Sequence, residues 1–206
     1  MVNTATEPSA HSAHSRVAVR LAWATIAWNV IEAIVAIVAG TAAGSIALVG
    51  FGLDSTVEVM SAAVILWQFN GLAEARERRA LRLIAISFFA LGAYIAVQAI
   101  IDLASGAEPR SSRVGIGLAL ASLIVMPLLA RAKRRNGERM GSATVVADSN
   151  QTQLCAYLSA ILLGGLILNA TVGWWWADPV AAIAIAALAV NEGRAAWRGE
   201  TCDDCC

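Results

Sequence analysis

Six long apolar runs divide this chain and leave little room for any fold other than a bundle of membrane helices. A spanning helix needs about 20 predominantly apolar residues, because each residue adds about 1.5 Å and the hydrocarbon layer is about 30 Å thick. The composition agrees, since 58% of the 206 residues are hydrophobic and only 15% are charged. The predicted spans are Val17–Ala39, Ser45–Phe69, Ala80–Ala104, Val114–Ala130, Val145–Ala170 and Trp175–Val190.

The segments outside these runs are short and polar. We expect a disordered N-terminal segment at residues 1–16, an all-α transmembrane domain of six helices at residues 17–191, and a cysteine-rich tail at residues 192–206. The tail is too short to bury a core, so no soluble C-terminal domain is expected. The first apolar run is long enough to remain as an anchor, which argues against a cleaved secretory signal.

Basic residues fall mostly on one side of the predicted membrane. With six spans, thirteen of the fifteen Lys and Arg residues lie on the side that holds both termini, and only Arg110 and Arg113 lie on the other. The positive-inside rule then predicts a multi-pass cell-membrane protein with both termini in the cytoplasm. The run Arg131–Arg135, which includes Lys133, is interpreted as a topology anchor beside a span rather than as a nucleic-acid site.

Two carboxylates interrupt the second apolar run. Asp54 and Glu58 are four residues apart and therefore share one helix face near the middle of the span. An ionisable group at that depth is costly, so it usually marks an ion path, a proton relay or a buried partner of opposite charge. The pair can offer oxygen ligands to one cation or share a proton. The alternative is that one or both are neutral core residues, because burial disfavours the charged form.

Three further acids lie inside or near the predicted membrane. Glu32, one turn after Asn29, is expected to line a polar vestibule or to hold the first helix against the second. Asp102 lies close enough to the outer surface to be solvated. Asp178 precedes Pro179 at a helix start, where a carboxylate caps free amides and favours the helix dipole.

The fifth run carries a second pair of candidate ligands. Gln151 and Cys155 are again four residues apart, and Asp148 lies one turn before Gln151. An amide oxygen and a thiolate can both bind metal, and thiolate favours zinc or softer ions over magnesium and calcium. A single cysteine in a membrane helix is more often a small apolar side chain, so these residues alone leave the role of Cys155 open.

The tail holds the other three cysteines, Cys202, Cys205 and Cys206, with two acids between them. Thiols stay reduced in the cytoplasm, so metal capture is favoured over disulfide formation there. An unstructured tail without metal is the alternative. Neither terminal segment contains a catalytic triad, a phosphate loop or a redox motif, and we do not expect an enzyme.

Three segments of the chain resemble the cation diffusion facilitator family: residues 43–58, residues 147–155 and Trp176–Pro179. The resemblance implies a homodimer of six-helix subunits that exchanges a divalent metal for protons by alternating access. It also implies a mid-membrane tetrahedral site in which the second helix supplies Asp54 and Glu58 and the fifth helix supplies Gln151 and Cys155. Asp148 matches an acid often found one turn earlier in the fifth helix.

The chain departs from that family in four places. Gln151 and Cys155 replace the usual His and Asp of the fifth helix, and Glu58 replaces the usual second Asp of the second helix. Phe51 stands where many members have another Asp, and we do not expect the usual cytoplasmic metal-binding domain after the last span. The first two departures change the donor set, and with it the expected selectivity among cations.

The sequence thus predicts a proton-coupled efflux transporter of a divalent transition metal, with zinc as the leading cargo and no tightly bound cofactor. Its expected partners are membrane lipid, protons, the metal ion and a second copy of the chain, without nucleic acid. One alternative is a non-transporting membrane metal sensor that binds through the cysteine tail. Another is a carrier of a different cation in which the two carboxylates serve only as a proton relay. The predicted ligands are Asp54, Glu58, Gln151 and Cys155, with Asp148 as an accessory and Cys202, Cys205 and Cys206 as the tail site.

Overall fold

The structure is a computed structural model that describes residues 7–68, 74–141 and 143–198. Every regular element within these ranges is an α-helix, as predicted. In chain order the helices are α1 Glu7–Ala43, α2 Ile46–Gln68, α3 Glu74–Ser105, α4 Arg113–Met140, α5 Ala143–Val172 and α6 Ala177–Arg198.

Several helices extend beyond the apolar runs that predicted them. α1 begins at Glu7, so the disorder predicted for residues 1–16 is wrong for residues 7–16, which are helical. α6 continues to Arg198 instead of ending near Val190. Hydropathy does not detect such extensions, because a helix already formed by an apolar segment adds polar residues at little cost.

The helices pack as three pairs, α1 with α2, α4 with α5, and α3 with α6. α2 also contacts α3, α5 and α6, so it occupies the centre of the bundle. Glycine allows the close approach of α1 and α2, since a Cβ atom built on Gly40 would lie 2.8 Å from the backbone nitrogen of Val49. Small residues at helix crossings are typical of membrane bundles.

Asp178 joins the starts of α6 and α2. Its carboxylate accepts hydrogen bonds from the Ser45 hydroxyl and, at 3.3 Å, from the backbone N–H of Ala47. Ser45 is itself the N-cap of α2, because its hydroxyl accepts from the N–H of Leu48 at 3.1 Å. Asp178 therefore caps the start of a neighbouring helix, α2, and this contact fixes α6 against the central helix.

Among the residues that the structure describes, five helices are long and apolar enough to cross a membrane: α1, α3, α4, α5 and α6. Their outer surfaces expose large apolar side chains, including Ile34 at 60% and Ile124 at 64% exposure. Apolar surface of this kind suits lipid rather than water. α2 packs inside this bundle and carries the buried Asp54 and Glu58 side chains.

Candidate cation site

A small cavity between α2, α3, α5 and α6 brings together all four residues of the predicted transport site. Asp54 and Glu58 reach it from α2, and Gln151 and Cys155 reach it from α5. Its volume is about 20 Å³, room for a single water-sized occupant. The other lining residues are Phe88, Leu154, Leu158, Leu188, Ala189 and Glu192.

The two carboxylates that α2 brings to this cavity are almost fully buried, with Asp54 8% and Glu58 3% exposed. The Cys155 thiol and the Thr152 hydroxyl interact with the Glu58 carboxylate. The Oε1 atom of Glu58 nevertheless has no hydrogen-bond partner among the described residues. Because a buried oxygen without a partner is costly, this atom can accept a bond from an occupant of the cavity.

The donor set combines two carboxylates, an amide and a thiol. Such a mixture suits zinc and similar ions, which accept oxygen and sulfur ligands in tetrahedral geometry. In the described part of the chain, no three His, Cys, Asp or Glu side chains form a ready metal-binding group. The four side chains line one cavity but do not converge on a single point, so they must move inwards to bind a cation.

A buried ion pair adjoins the cavity on the α4–α5 side. The Nζ atom of Lys133, which is 1% exposed, lies 2.7 Å from Oδ2 of Asp148 and donates to the Thr152 hydroxyl at 2.9 Å. Thr152 donates in turn to the backbone carbonyl of Asp148 at 3.1 Å. Since Thr152 also reaches Glu58, the ammonium is the positive partner that the buried carboxylates led us to expect.

The Lys133 side chain is buried inside the bundle, so its interpretation as a topology anchor that meets lipid headgroups is wrong. The buried face of α4 repeats every three or four residues and continues through Lys133, which turns that side chain inwards. Asp148, predicted as an accessory ligand, does not line the cavity, and one of its oxygens binds Lys133. The buried face of α4 comprises Gly115, Ala119, Ser122, Met126, Ala130, Lys133, Asn136 and Gly137.

Glu32 forms a second buried polar contact, between α1 and α2. Its side chain is 0% exposed, and its Oε2 atom accepts a hydrogen bond from the Ser55 hydroxyl at 2.9 Å. Ser122 and Trp28 lie beside the same carboxylate. Of the two roles expected for Glu32, the contact between α1 and α2 is the one that the structure shows.

Sequence reasoning missed Glu192, which lines the cavity from α6. The predicted span ended at Val190, and Glu192 was assigned to the tail. Its position three residues after Ala189 and four after Leu188, which also line the cavity, is the signal that identifies it. The predicted tail ligands Cys202, Cys205 and Cys206 lie outside the described residues.

The helical bundle and its buried carboxylates define a multi-pass membrane protein of the cation-transporting class. A family model described as the cation efflux transmembrane domain matches residues 82–197, more than half of the chain. This chain therefore belongs to the cation efflux family, which confirms the resemblance found in the sequence. The chain is also similar to Transmembrane protein 163 of Xenopus laevis, with 24% identity over 196 residues that cover 93% of this chain and 70% of that protein.

Proposed function

We propose that this protein exports a divalent transition-metal cation, with zinc as the favoured cargo. The cation would bind between Asp54, Glu58, Gln151 and Cys155. One observation carries the proposal: two residue pairs from distant parts of the sequence line one buried cavity in a protein of the cation efflux family. The two carboxylates carry two negative charges, which balance a divalent cation where the low dielectric penalises net charge.

In this proposal α2 is the sixth span. It contacts α1, α3, α5 and α6, and its Asp54, Ser55 and Glu58 side chains are buried against protein. The thiol of Cys155 adds a preference for zinc over magnesium and calcium.

Proton coupling follows from competition for the same side chains. Carboxylates and thiols bind metal in their deprotonated forms, so protons that reach the cavity from the far side displace the cation. Alternating access would expose the cavity first to the cytoplasm and then to the opposite side. The family resemblance also favours a homodimer, which would have to form through the membrane helices.

Zinc flux into proteoliposomes tests the assignment. We expect Asp54→Ala to lower the rate of zinc uptake by about tenfold or more, because one of the two balancing charges is lost. Wild-type uptake should rise when the lumen is acidified. Asp102→Ala is a matched control, since Asp102 lies in the last turn of α3 and does not line the cavity.

Folding of each variant is checked by its thermal unfolding in detergent. Uptake by Asp54→Ala at the wild-type rate would refute the proposed site. A wild-type rate unaffected by lumenal pH would refute proton coupling and leave the site standing.

A further inference from the structure

We propose that Glu192 is the carboxylate at the mouth of the cation cavity, where it collects the divalent cation before Asp54 and Glu58 bind it. This inference rests on the proposed function and adds a residue from a third helix, α6. We call the end of the bundle where α4 ends and α5 begins the basic end, because it carries Arg131, Arg134, Arg135 and Arg139. The positive-inside rule predicts that this end faces the cytoplasm.

The solvent exposure of the residues that line the cavity indicates on which side the cavity is open. Asp54 is 8% exposed and Cys155 is 2% exposed, whereas Gln151 and Glu192 are both partly exposed. α5 begins at the basic end and α6 finishes there, so Gln151 and Glu192 lie on that side of the cavity. Leu154 and Leu188, which also line the cavity, are partly exposed as well, so the cavity is open along α5 and α6, and the polar residues of this open side lie towards the basic end.

The opposite side of the cavity is closed by apolar packing. Leu158 is 5% exposed, and Leu162 and Ile185, further from the basic end, are 0% exposed. Beyond them the Asp178 carboxylate holds the starts of α2 and α6 together. Among the described residues, this packing leaves the side where Glu192 lies as the route to the carboxylates of α2.

The charge of Glu192 suits this position. It forms no ion pair with any side chain that the structure describes, and its negative charge repels that of the nearby Asp54 carboxylate. Negative charge at the mouth of a cleft raises the local concentration of cations. Deeper in the cavity, Glu58 is 3% exposed, and its Oε1 atom, which has no hydrogen-bond partner among the described residues, provides the next oxygen for an arriving cation.

Zinc titrations of the flux rate in proteoliposomes test this role with Glu192→Gln, which keeps the size of the side chain and removes its charge. With zinc supplied at the basic end, we expect the concentration for half-maximal rate to rise about tenfold while the maximal rate is retained. Glu192→Asp should restore most of the affinity. Glu138→Gln is the matched control, because Glu138 is an exposed acid of α4 that pairs with Arg134 at the surface.

Two results would overturn the inference while the proposed function stands: an unchanged half-maximal concentration in Glu192→Gln, or a fall confined to the maximal rate. A flux for Asp54→Ala equal to that of the wild type would overturn both the inference and the proposed function, since no cation site would remain for Glu192 to serve. Thermal unfolding in detergent establishes that each variant is folded before its titration is interpreted.

Discussion

At the scale of single residues, Lys133 balances the charge around the cavity. It binds Asp148 at 2.7 Å, and Thr152 connects this pair to Glu58. With Asp148 neutralised by the ammonium, the proposed site keeps the two carboxylates of Asp54 and Glu58 to balance a divalent cation. Removing one partner of a buried ion pair leaves the other charge buried without compensation, whereas replacing both partners with apolar residues removes both charges.

We therefore expect Lys133→Met to lower the free energy of unfolding by about 3 kcal/mol and the double variant Lys133→Met, Asp148→Leu to recover most of that loss. Denaturant unfolding in detergent provides the double-mutant cycle. Arg134 and Glu138 supply the matched control, because their side chains are 63% and 57% exposed and their coupling should be close to zero. Equal coupling energies for the two pairs would contradict the structural role of Lys133.

The spacing of Lys133 along α4 could have revealed its position from the sequence. It lies three residues after Ala130 and four before Gly137, in line with other small residues of the same helix face. The cluster of neighbouring arginines concealed this register, because juxtamembrane basic residues usually face the lipid headgroups. Which acid Lys133 meets depends on how α4 packs against α5, and no local pattern specifies that.

At the scale of helices, the crossing of α1 and α2 depends on glycine. A Cβ atom at Gly40 would meet both the backbone nitrogen and a methyl group of Val49 at 2.8 Å. Backbone cannot move aside as a flexible side chain can, so α1 and α2 would have to separate. Because α2 carries Asp54 and Glu58, this separation would also disturb the cavity.

Gly40→Ala should consequently lower the melting temperature in detergent and weaken zinc flux. Gly117→Ala is the matched control, since Gly117 is also inside a helix but nothing lies within 4 Å of its added Cβ atom. There the substitution should be neutral or stabilising by about 0.5–1 kcal/mol, because alanine is the better helix former. A lower melting temperature for Gly117→Ala than for Gly40→Ala would contradict this packing.

The apolar runs predicted the existence and order of the helices, because length and apolarity are what a bilayer demands of a span. They did not predict the helix ends. Residues 7–16 of α1 and the stretch of α6 beyond Val190 are polar enough to look like tails. The omission of Glu192 from the predicted site follows directly from that error.

At the scale of the whole molecule, the packing of the helices brings into one cavity two residue pairs that the sequence identifies only separately. Asp54 with Glu58, and Gln151 with Cys155, were identifiable because residues four apart share a helix face. Their meeting in one cavity depends on the central position of α2 between α5 and α6. The partial exposure of Gln151 and Glu192 depends on the same packing, so the open side of the cavity could not be predicted from spacing alone.

Zinc X-ray absorption spectroscopy tests the assigned ligands most directly. The sample is the variant in which Cys202, Cys205 and Cys206 are replaced by Ser, so that Cys155 is the sole remaining thiol of the four cysteines. We predict one sulfur at about 2.3 Å from zinc, with the remaining ligands at about 2.0–2.2 Å. The sulfur signal should disappear when Cys155→Ser is added. A zinc shell of oxygen and nitrogen alone, unchanged by Cys155→Ser, would contradict the proposed site.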